Sequence, residues 1–254
     1  MLELDAVTKR FGGLVAVHSV TLAVESGQIT GLIGANGAGK TTLFSLIAGN
    51  QAPTSGRIRF DGHDVTGLPA HAISTRGVAR TFQIVRPFRG LTVAENVATA
   101  AMFGRQRLGR GAAIRVADEL LASVGLADRA ERPAAELTLA GLKRLEIARA
   151  LATGPKLLLL DEVLAGLTPT EVDEAVAMIA AVRQRFEIGI VMVEHVLSAV
   201  MRLCERVVVM HHGRLIADGT PSRVVSDPAV IEAYLGEPTP AEPAAAAPAM
   251  AHGS

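Results

Sequence analysis

A glycine-rich run near the beginning of the chain constrains the fold more than any other feature. Positions 34–42 read Gly-Ala-Asn-Gly-Ala-Gly-Lys-Thr-Thr and satisfy the pattern G-x-x-x-x-G-K-[ST]. Glycine lets successive backbone N–H groups converge on the phosphates of a nucleotide, while Lys40 reaches the β- and γ-phosphate oxygens and the Thr41 hydroxyl binds Mg²⁺. The run predicts a phosphate-binding loop made of Gly34, Ala35, Asn36, Gly37, Ala38, Gly39, Lys40, Thr41 and Thr42.

The residues on both sides of this loop agree with that interpretation. Positions 28–33 form a short apolar run rich in β-branched residues, and positions 43–47 carry apolar residues at helical spacing. Strand, glycine loop and helix therefore follow in the required order, and bound phosphates would meet the positive end of the helix dipole. The alternative is a glycine-rich turn that only happens to end in Lys-Thr, and the flanking order disfavours it.

Composition limits the class of protein. The chain has 254 residues, enough for one large domain or two closely packed lobes with a substantial core. Lys and Arg together number 25, as do Asp and Glu, and the pI is about 7.1, so no global field favours nucleic acid as a partner. A single cysteine, Cys204, excludes an internal disulfide framework and suits a reducing cytosol.

We expect neither a signal peptide nor a membrane span. Glu3 and Asp5 interrupt the apolar residues at the N-terminus, unlike the basic and apolar regions of a signal peptide. No apolar run approaches the roughly 18–20 residues of a membrane-spanning helix. If the protein works at a membrane, another chain is expected to span it.

Periodicity predicts an α/β core with additions. Alternating apolar residues at positions 2–4 and 20–24 indicate N-terminal β-strands, and positions 57–65 read as a hairpin with a type I′ turn at Asp61-Gly62. Positions 91–151 are rich in Ala and Arg and predict a helical lobe inserted into the core. The core then resumes at position 157 with a continuous apolar run of the kind buried in parallel sheets.

The second half of the chain contains further start and stop signals. Thr168 as N-cap, Pro169 at the first helical position and Glu171 predict a helix that begins with a capping box. The other expected elements are strands at 188–193 and 206–210, a helix at 196–203, and a last element from 227 to 236. Positions 237–254 are rich in Pro, Ala and Glu, and we expect this tail to be disordered.

Two carboxylates follow the apolar run at 157–160. Asp161 and Glu162 would stand at the carboxyl end of a buried strand, where open α/β sheets bind ligands. In that place Asp161 can hold Mg²⁺ through its water shell and Glu162 can polarise an attacking water. A solvated loop is the alternative for the two acids, and Gln83 or His195, taken alone, would be an ordinary surface or core residue.

The order of these features resembles the nucleotide-binding subunit of an ATP-binding cassette (ABC) transporter over residues 2–236. The chain presents the phosphate loop, Gln83, the helical lobe, Asp161-Glu162 and then His195. The resemblance implies an α/β fold with a P-loop NTPase (RecA-like) core, a mostly parallel sheet, an N-terminal antiparallel β subdomain and an inserted α-helical subdomain. It also implies that ATP and Mg²⁺ are bound.

The resemblance assigns a role to each matching position. Phe11 corresponds to the aromatic residue that stacks on adenine, and Gln83 to the sensor of Mg²⁺ and γ-phosphate that faces the membrane subunit. Glu162 corresponds to the catalytic base, Asp161 to the acid that completes the magnesium site, and His195 to the switch histidine at the γ-phosphate. The implied mechanism has two states, because ATP and Mg²⁺ between two such subunits favour a closed dimer and hydrolysis releases it.

One motif of the family is altered in this chain. The signature L-S-G-G-Q, which holds the γ-phosphate of the nucleotide on the opposite subunit, is present as Leu137-Thr138-Leu139-Ala140-Gly141. Thr138 keeps a hydroxyl, Ala140 keeps its backbone N–H but adds a methyl group, and Gly141 lacks a side-chain amide. Since the signature acts in trans, we expect a heterodimer with unequal sites, whereas a homodimer would carry the altered signature twice.

Further short motifs resemble those of the ATPases of branched-chain amino-acid importers. Such importers have two ATPases, and this chain resembles the longer one. The matching stretches are 9–17, 80–83, 144–151 and 230–236. The resemblance implies a second ABC ATPase subunit, integral permease subunits, an indirectly acting extracytoplasmic solute-binding protein, and a peripheral position on the cytoplasmic face of the inner membrane. The alternatives are another ABC system, for urea or amide uptake or lipid extraction, and, less favoured, a soluble ABC ATPase outside transport.

A loose basic stretch runs through the middle of the chain, and nucleic acid or anionic lipid could contact it. Few aromatic residues suited to base stacking accompany it, so we interpret it as solvated surface of the helical lobe. Its members are Arg76, Arg80, Arg86, Arg89, Arg105, Arg107 and Arg110. The pair His211-His212 is interpreted as turn residues after a strand and not as a metal site.

Overall fold

The computed structural model describes residues 1–82 and 85–235. Gln83 and the tail at 237–254 therefore lie outside the described residues, and the predictions that concern them stay predictions.

Two β-sheets contain the strands of the described residues. The strands are β1 (Leu2–Phe11), β2 (Leu14–Val24), β3 (Ile29–Ile33), β4 (Ser55–Phe60), β5 (His63–Asp64), β6 (Val78–Arg80), β7 (Leu157–Asp161), β8 (Gly189–Val193), β9 (Arg206–His211) and β10 (Arg214–Gly219). One sheet is antiparallel in the order β2-β1-β4-β5, and the other has the order β10-β9-β3-β8-β7-β6. In the second sheet only β10 runs antiparallel to its neighbour. The α/β fold with a mostly parallel sheet and a separate antiparallel sheet is therefore confirmed.

Three of the described helices, those from positions 93 to 152, lie in the middle of the sequence, and the others precede or follow that region. The helices are α1 (Lys40–Ile47), α2 (Ala70–Arg76), α3 (Val93–Phe103), α4 (Arg110–Ser123), α5 (Leu139–Ala152), α6 (Pro169–Phe186), α7 (Leu197–Leu203), α8 (Pro221–Val225) and α9 (Pro228–Leu235). The region predicted to be a helical lobe contains α3, α4 and most of α5. Within the described ranges, no helix is long and apolar enough to span a bilayer.

The predicted turn at positions 61–62 and the predicted helix start at position 168 are both found in the structure. Asp61 and Gly62 have φ angles of 49° and 76°, as a type I′ turn requires, and the turn joins the antiparallel strands β4 and β5. The helix α6 begins with the predicted capping box, in which the Thr168 hydroxyl accepts from the Glu171 N–H and the Glu171 carboxylate accepts from the Thr168 N–H.

The parallel sheet separates two hydrophobic cores. Successive residues of a strand point to opposite faces, so in β7 Leu157 and Leu159 join the core that contains α1 and the antiparallel sheet. Leu158 and Leu160 join the opposite core, which contains α3, α4, α5 and α6. Covering both faces explains why this strand is continuously apolar.

The sheet order brings three loops together at one edge. The strands β3, β8 and β7 are neighbours and parallel, so the segments that follow them leave the sheet at the same end. These segments carry the phosphate loop, His195 and Glu162 in turn. Asp161 pairs with Val193 across β7 and β8, and the Glu162 N–H donates to the Val193 carbonyl at 2.9 Å. The fold therefore places the candidate site at the carboxyl ends of the strands.

Candidate nucleotide-binding site

The N-terminus of α1 is the first part of the site. Gly39 is its N-cap with φ 103°, and no side chain of the described residues caps this end. The first N–H groups of a helix have no partner within the helix, and the helix dipole makes that end positive. This end of α1 therefore offers backbone donors to an anion.

Two glycines of the loop are required by close packing. A Cβ on Gly39 would lie 2.3 Å from the carbonyl oxygen of Ala16, and a Cβ on Gly34 would lie 2.2 Å from that of Met210. The loop thus passes directly against the backbone of β2 and β9, and only glycine fits at these two positions.

Lys40 is a buried residue that lies across the loop. Its Nζ donates to the carbonyl oxygens of Gly34 and Ala35 at 2.6 and 3.0 Å. Burial lowers the pKa of Lys40, and the charges of Glu162 and Asp161 act in the opposite direction. The ammonium group is thus held between the loop and two carboxylates.

A cavity of about 400 Å³ lies in front of this helix end. Its size is within the usual range for a small-molecule or cofactor site. It is lined by Phe11, Leu14, Val15, Ala16, Asn36, Gly37, Ala38, Gly39, Lys40, Thr41, Thr42, Glu162, His212 and Gly213. The loop, Phe11 and Glu162 were expected from sequence, whereas no place in the site was expected for the lining residues at 14–16 and 212–213.

Phe11 ends β1 at the edge of this cavity. Its ring is about half exposed, and the Lys9 ammonium lies 5.1 Å from the ring centroid. His212 has a φ of 45° and Gly213 a φ of 77°, and together they connect the antiparallel strands β9 and β10. The interpretation of His211-His212 as turn residues after a strand holds for His212, whereas His211 is the last residue of β9.

Asp161 is the last residue of β7, and Arg80 pairs with it. The Arg80 Nη2 lies 2.7 Å from Asp161 Oδ2, and its Nη1 donates to the Ser45 hydroxyl at 3.0 Å. The Arg80 side chain is only 10% exposed. Its assignment to a solvated basic stretch is therefore wrong, whereas Arg76, Arg86, Arg89, Arg105, Arg107 and Arg110 are exposed as expected. The reason is that β6 pairs in parallel with β7, which brings Arg80 beside Leu159 near the end of the sheet.

Glu162 and His195 meet at the border of the cavity. The Nε2 of His195 lies 3.1 Å from the Oε1 of Glu162, and the His195 side chain is 47% exposed. Glu162 has a left-handed backbone with φ 50°. The Lys143 Nζ donates to the Glu162 carbonyl oxygen at 3.0 Å.

Glu194 is a buried carboxyl group beneath this pair. Its Oε1 accepts from the Leu164 N–H at 2.9 Å. Burial raises the pKa of Glu194 to about 7, although the N–H groups of Leu164 and His195 act in the opposite direction. No sequence motif indicated Glu194 or Lys143, because their partners come from distant parts of the chain.

The altered signature is at the N-terminus of α5. Thr138 is the N-cap, and its hydroxyl accepts from the Gly141 N–H at 3.2 Å. A Cβ on Gly141 would lie 3.3 Å from Leu137 and 3.5 Å from the Thr138 hydroxyl, so glycine suits this tight first turn. Within the described chain, Thr138, Ala140 and Gly141 are not among the residues that line the cavity.

The fold and the site define a P-loop nucleotide-binding protein. The sequence model of the ABC transporter family matches residues 17–165, and a model described as branched-chain amino acid ATP-binding cassette transporter matches residues 214–240. The chain therefore belongs to the ABC transporter family, and it is an ATP-binding cassette ATPase.

Individual members of the family are similar to this chain in sequence and in structure. The chain is 42% identical to the high-affinity branched-chain amino acid transport ATP-binding protein BraF of Pseudomonas aeruginosa and 39% identical to LivG, of the same description, from Escherichia coli. Both alignments cover 93% of this chain and 98% of the relative. The structure of another ABC transporter cassette, solved in its ADP conformation, is 30% identical and has a TM-score of 0.85, covering 93% of this chain and 99% of that one.

Proposed function

We propose that this chain is the ATP-hydrolysing subunit of an importer that carries branched-chain amino acids across the cell membrane. One observation carries the assignment of the hydrolytic site: Glu162 lies 3.1 Å from His195 and lines the same cavity as Lys40 and Thr41. An acid–base pair therefore borders a phosphate-binding loop. The amino-acid cargo is supported by the descriptions of BraF and LivG and by the match of residues 214–240.

Several residues of the cavity, together with His195 beside it, have a role in this proposal. Lys40 and the N–H groups of residues 36–41 bind the phosphates of ATP, and the ring of Phe11 stacks on adenine. The Glu162 carboxylate accepts a proton from the water that attacks the γ-phosphate. His195 orients that carboxylate through its Nε2 and contacts the γ-phosphate.

Two residues offer oxygen atoms to Mg²⁺: Thr41, which lines the cavity, and Asp161, which ends β7 and pairs with Arg80. In the part of the chain that the structure describes, no group of three or more His, Cys, Asp or Glu side chains could hold a metal ion. Mg²⁺ does not need such a group, because it is usually bound through one or two protein oxygens together with phosphate and water. Thr41 and Asp161 would hold it, with Gln83 from outside the described residues, and the bound ion would neutralise charge on the β- and γ-phosphates.

A second ABC ATPase subunit completes the site in this proposal. Within the described chain, Thr138, Ala140 and Gly141 do not line this subunit's own cavity, which supports a role toward a nucleotide on another subunit. Thr138 is exposed there, whereas Gly141 is buried and its N–H donates to the Thr138 hydroxyl. We favour a heterodimer, because a partner with an unaltered signature would act on the ATP bound at Lys40. The alternative is a homodimer.

Membrane subunits would contact the groove beside Phe82 and Phe88. Both rings are 51% exposed and lie close to Arg149 at this groove. Phe82 and Arg149 line a cavity of about 240 Å³, and the Arg149 guanidinium lies 5.3 Å from the Phe88 ring. Closure of the ATPase dimer would reach the permease through this surface and Gln83. The chain would then lie peripherally on the cytoplasmic face of the inner membrane, and a solute-binding protein would deliver the amino acid from the other side.

Reconstitution tests the proposal. We expect proteoliposomes that contain this chain, permease subunits and a solute-binding protein to take up labelled leucine, isoleucine or valine with ATP, and Glu162→Gln to abolish uptake. Transport of urea, amides or lipid instead of these amino acids would contradict the proposed cargo. ATPase activity that responds to nucleic acid or ribosomes and not to membrane subunits would contradict a role in transport.

A further inference from the structure

The backbone of Glu162 has an unfavourable conformation. Its φ of 50° is in the left-handed region, which a residue with a Cβ adopts only where its surroundings fix it. The segment after Glu162 turns sharply, because the Ala165 N–H donates to the Glu162 carbonyl oxygen at 3.3 Å. The direction of the Glu162 side chain therefore depends on whatever holds this short segment.

Among the described residues, three hydrogen bonds from other elements reach the backbone of the segment. The Glu162 N–H donates to the Val193 carbonyl at 2.9 Å, which continues the pairing of β7 with β8. The Lys143 Nζ donates to the Glu162 carbonyl at 3.0 Å, and the Leu164 N–H donates to the Glu194 carboxylate at 2.9 Å. Two of the three bonds thus come from charged side chains.

Both of these side chains are buried. Lys143 is 6% exposed and Glu194 is 3% exposed. Burying a charged group is unfavourable unless it is paired and hydrogen-bonded, so a purely apolar filling of these positions would have been the simpler way to stabilise the core. Each instead directs a polar atom to the backbone that carries Glu162.

The two residues come from different parts of the fold. Glu194 follows β8 and directly precedes His195, whose imidazole meets the Glu162 carboxylate. Lys143 belongs to α5, the helix that begins with the Thr138 cap of the signature. The Lys143 contact therefore connects the helix that carries the signature to the loop that carries Glu162.

We propose that Lys143 and Glu194 are positioning residues that hold Glu162 in its productive direction, and that Lys143 makes ATP turnover in this subunit depend on the position of α5. The inference rests on the proposed function, since it takes Glu162 as the catalytic base. Within the described chain, neither residue lines the cavity in front of α1. Both act through the backbone of residues 162–164.

Matched variants of the full chain test this inference. Lys143→Met removes the donor, while Arg144→Met removes the neighbouring positive charge, which bonds Glu174 and the Val124 carbonyl instead. Glu194→Gln keeps an acceptor oxygen for Leu164, while Glu194→Leu removes it. The measurements are kcat for ATP, affinity for a fluorescent ATP analogue, and thermal stability.

We expect kcat to fall about tenfold or more in Lys143→Met and Glu194→Leu, because a small displacement of a catalytic group has a large effect on rate. Nucleotide affinity should stay within about twofold of wild type, because the phosphate loop is not part of the contact. Arg144→Met and Glu194→Gln should keep a nearly normal kcat. A purely structural role would lower affinity and kcat together.

The outcomes separate this inference from the proposed function. Normal kcat in Lys143→Met and Glu194→Leu, with an inactive Glu162→Gln, would overturn the inference and leave the function intact. Full activity of Glu162→Gln would overturn the function itself. If Lys143→Met does not fold, the two Glu194 variants test whether Glu162 needs positioning. Equal kcat in Glu194→Leu and Glu194→Gln would overturn the inference.

Discussion

The N-termini of α1 and α5 contrast within one chain. The end of α1 begins after Gly39, has no side-chain cap among the described residues, and opens onto the cavity. The end of α5 is capped by its own Thr138 hydroxyl, which accepts from the Gly141 N–H. In the proposed function both ends contact phosphate, and at the end of α5 one of the first N–H groups is already satisfied by a side chain.

This difference agrees with the separate roles proposed for the two motifs, binding of this subunit's nucleotide at α1 and contact with another subunit's nucleotide at α5. Uncapped backbone donors at a positive helix end bind phosphate strongly, so the end of α1 is suited to hold the nucleotide. The Thr138 cap stabilises the end of α5 without a ligand, and in the proposed function this end meets the nucleotide of another subunit. We therefore expect changes at α1 to affect ATP binding by this chain, and changes at the end of α5 to affect mainly helix stability in the isolated chain.

The largest effect is expected for Lys40→Ala. Loss of a charged hydrogen-bond donor to the phosphates should weaken ATP binding by about tenfold to 100-fold. Thr138→Ala should leave ATP affinity of the isolated chain unchanged. Titration with a fluorescent ATP analogue measures both, and equal weakening in the two variants would contradict the contrast.

The next largest effect is expected at Glu194. Like the cap of α5, and unlike the end of α1, this buried carboxyl group has its hydrogen-bond partner within the chain. Burial raises the pKa of Glu194 from 4.5 to about 7. A raised carboxyl pKa means that the folded state favours the protonated form, so this contribution to stability is present below pH 4.5 and is lost as the pH rises to about 7.

Glu194→Gln should remove this titration. The free energy of unfolding of wild type relative to Glu194→Gln should therefore decrease by roughly 2–3 kcal/mol from pH 4.5 to pH 7 and stay constant above it. Urea denaturation of both proteins across this range measures the difference. A difference that does not change with pH would show that Glu194 titrates normally.

Two glycines of the phosphate loop, close to the N-terminus of α1, allow a matched comparison of the stability lost when a Cβ is added. Gly37 and Gly39 both have positive φ angles, 79° and 103°, but only a Cβ on Gly39 would collide with backbone. Gly37→Ala should lower the free energy of unfolding by about 1 kcal/mol for the left-handed backbone alone, and Gly39→Ala by about 2 kcal/mol or more. Chemical denaturation checks this order, which equal losses would contradict.

The smallest effect is expected at the cap of α5. Thr138→Val removes the hydroxyl that accepts from Gly141 and should lower the free energy of unfolding by about 1 kcal/mol, whereas Thr138→Ser should change it little. Denaturation of the isolated chain measures both. An unchanged Thr138→Val variant would mean that this helix end does not depend on its cap.

The parts of the molecule that the sequence predicted correctly are those with local signals. The strand before Gly34 and the helix after Gly39, the capping box at Thr168 and the turn at Asp61-Gly62 each depend on residues that are close in the chain. Their spacing reflects the geometry of one helix, strand or turn, so the pattern alone is sufficient.

The long-range contacts of the site were not predictable in this way. Arg80 and Asp161 are 81 positions apart, and they meet because β6 pairs with β7. Lys143 reaches Glu162 because α5 packs beside the loop after β7, and Glu194 reaches Leu164 from the neighbouring strand. Which strands and helices become neighbours is decided by the packing of the whole chain, so spacing in the sequence does not reveal such pairs.

The proposed function requires that the cavity at α1 binds ATP and that Glu162 acts in its hydrolysis. The most direct measurement follows one turnover of radiolabelled ATP in wild type and in Glu162→Gln and records bound ATP and released phosphate separately. We expect Glu162→Gln to bind ATP as wild type does and to release phosphate at least about 100-fold more slowly. Release of phosphate at the wild-type rate by Glu162→Gln would contradict the proposed function.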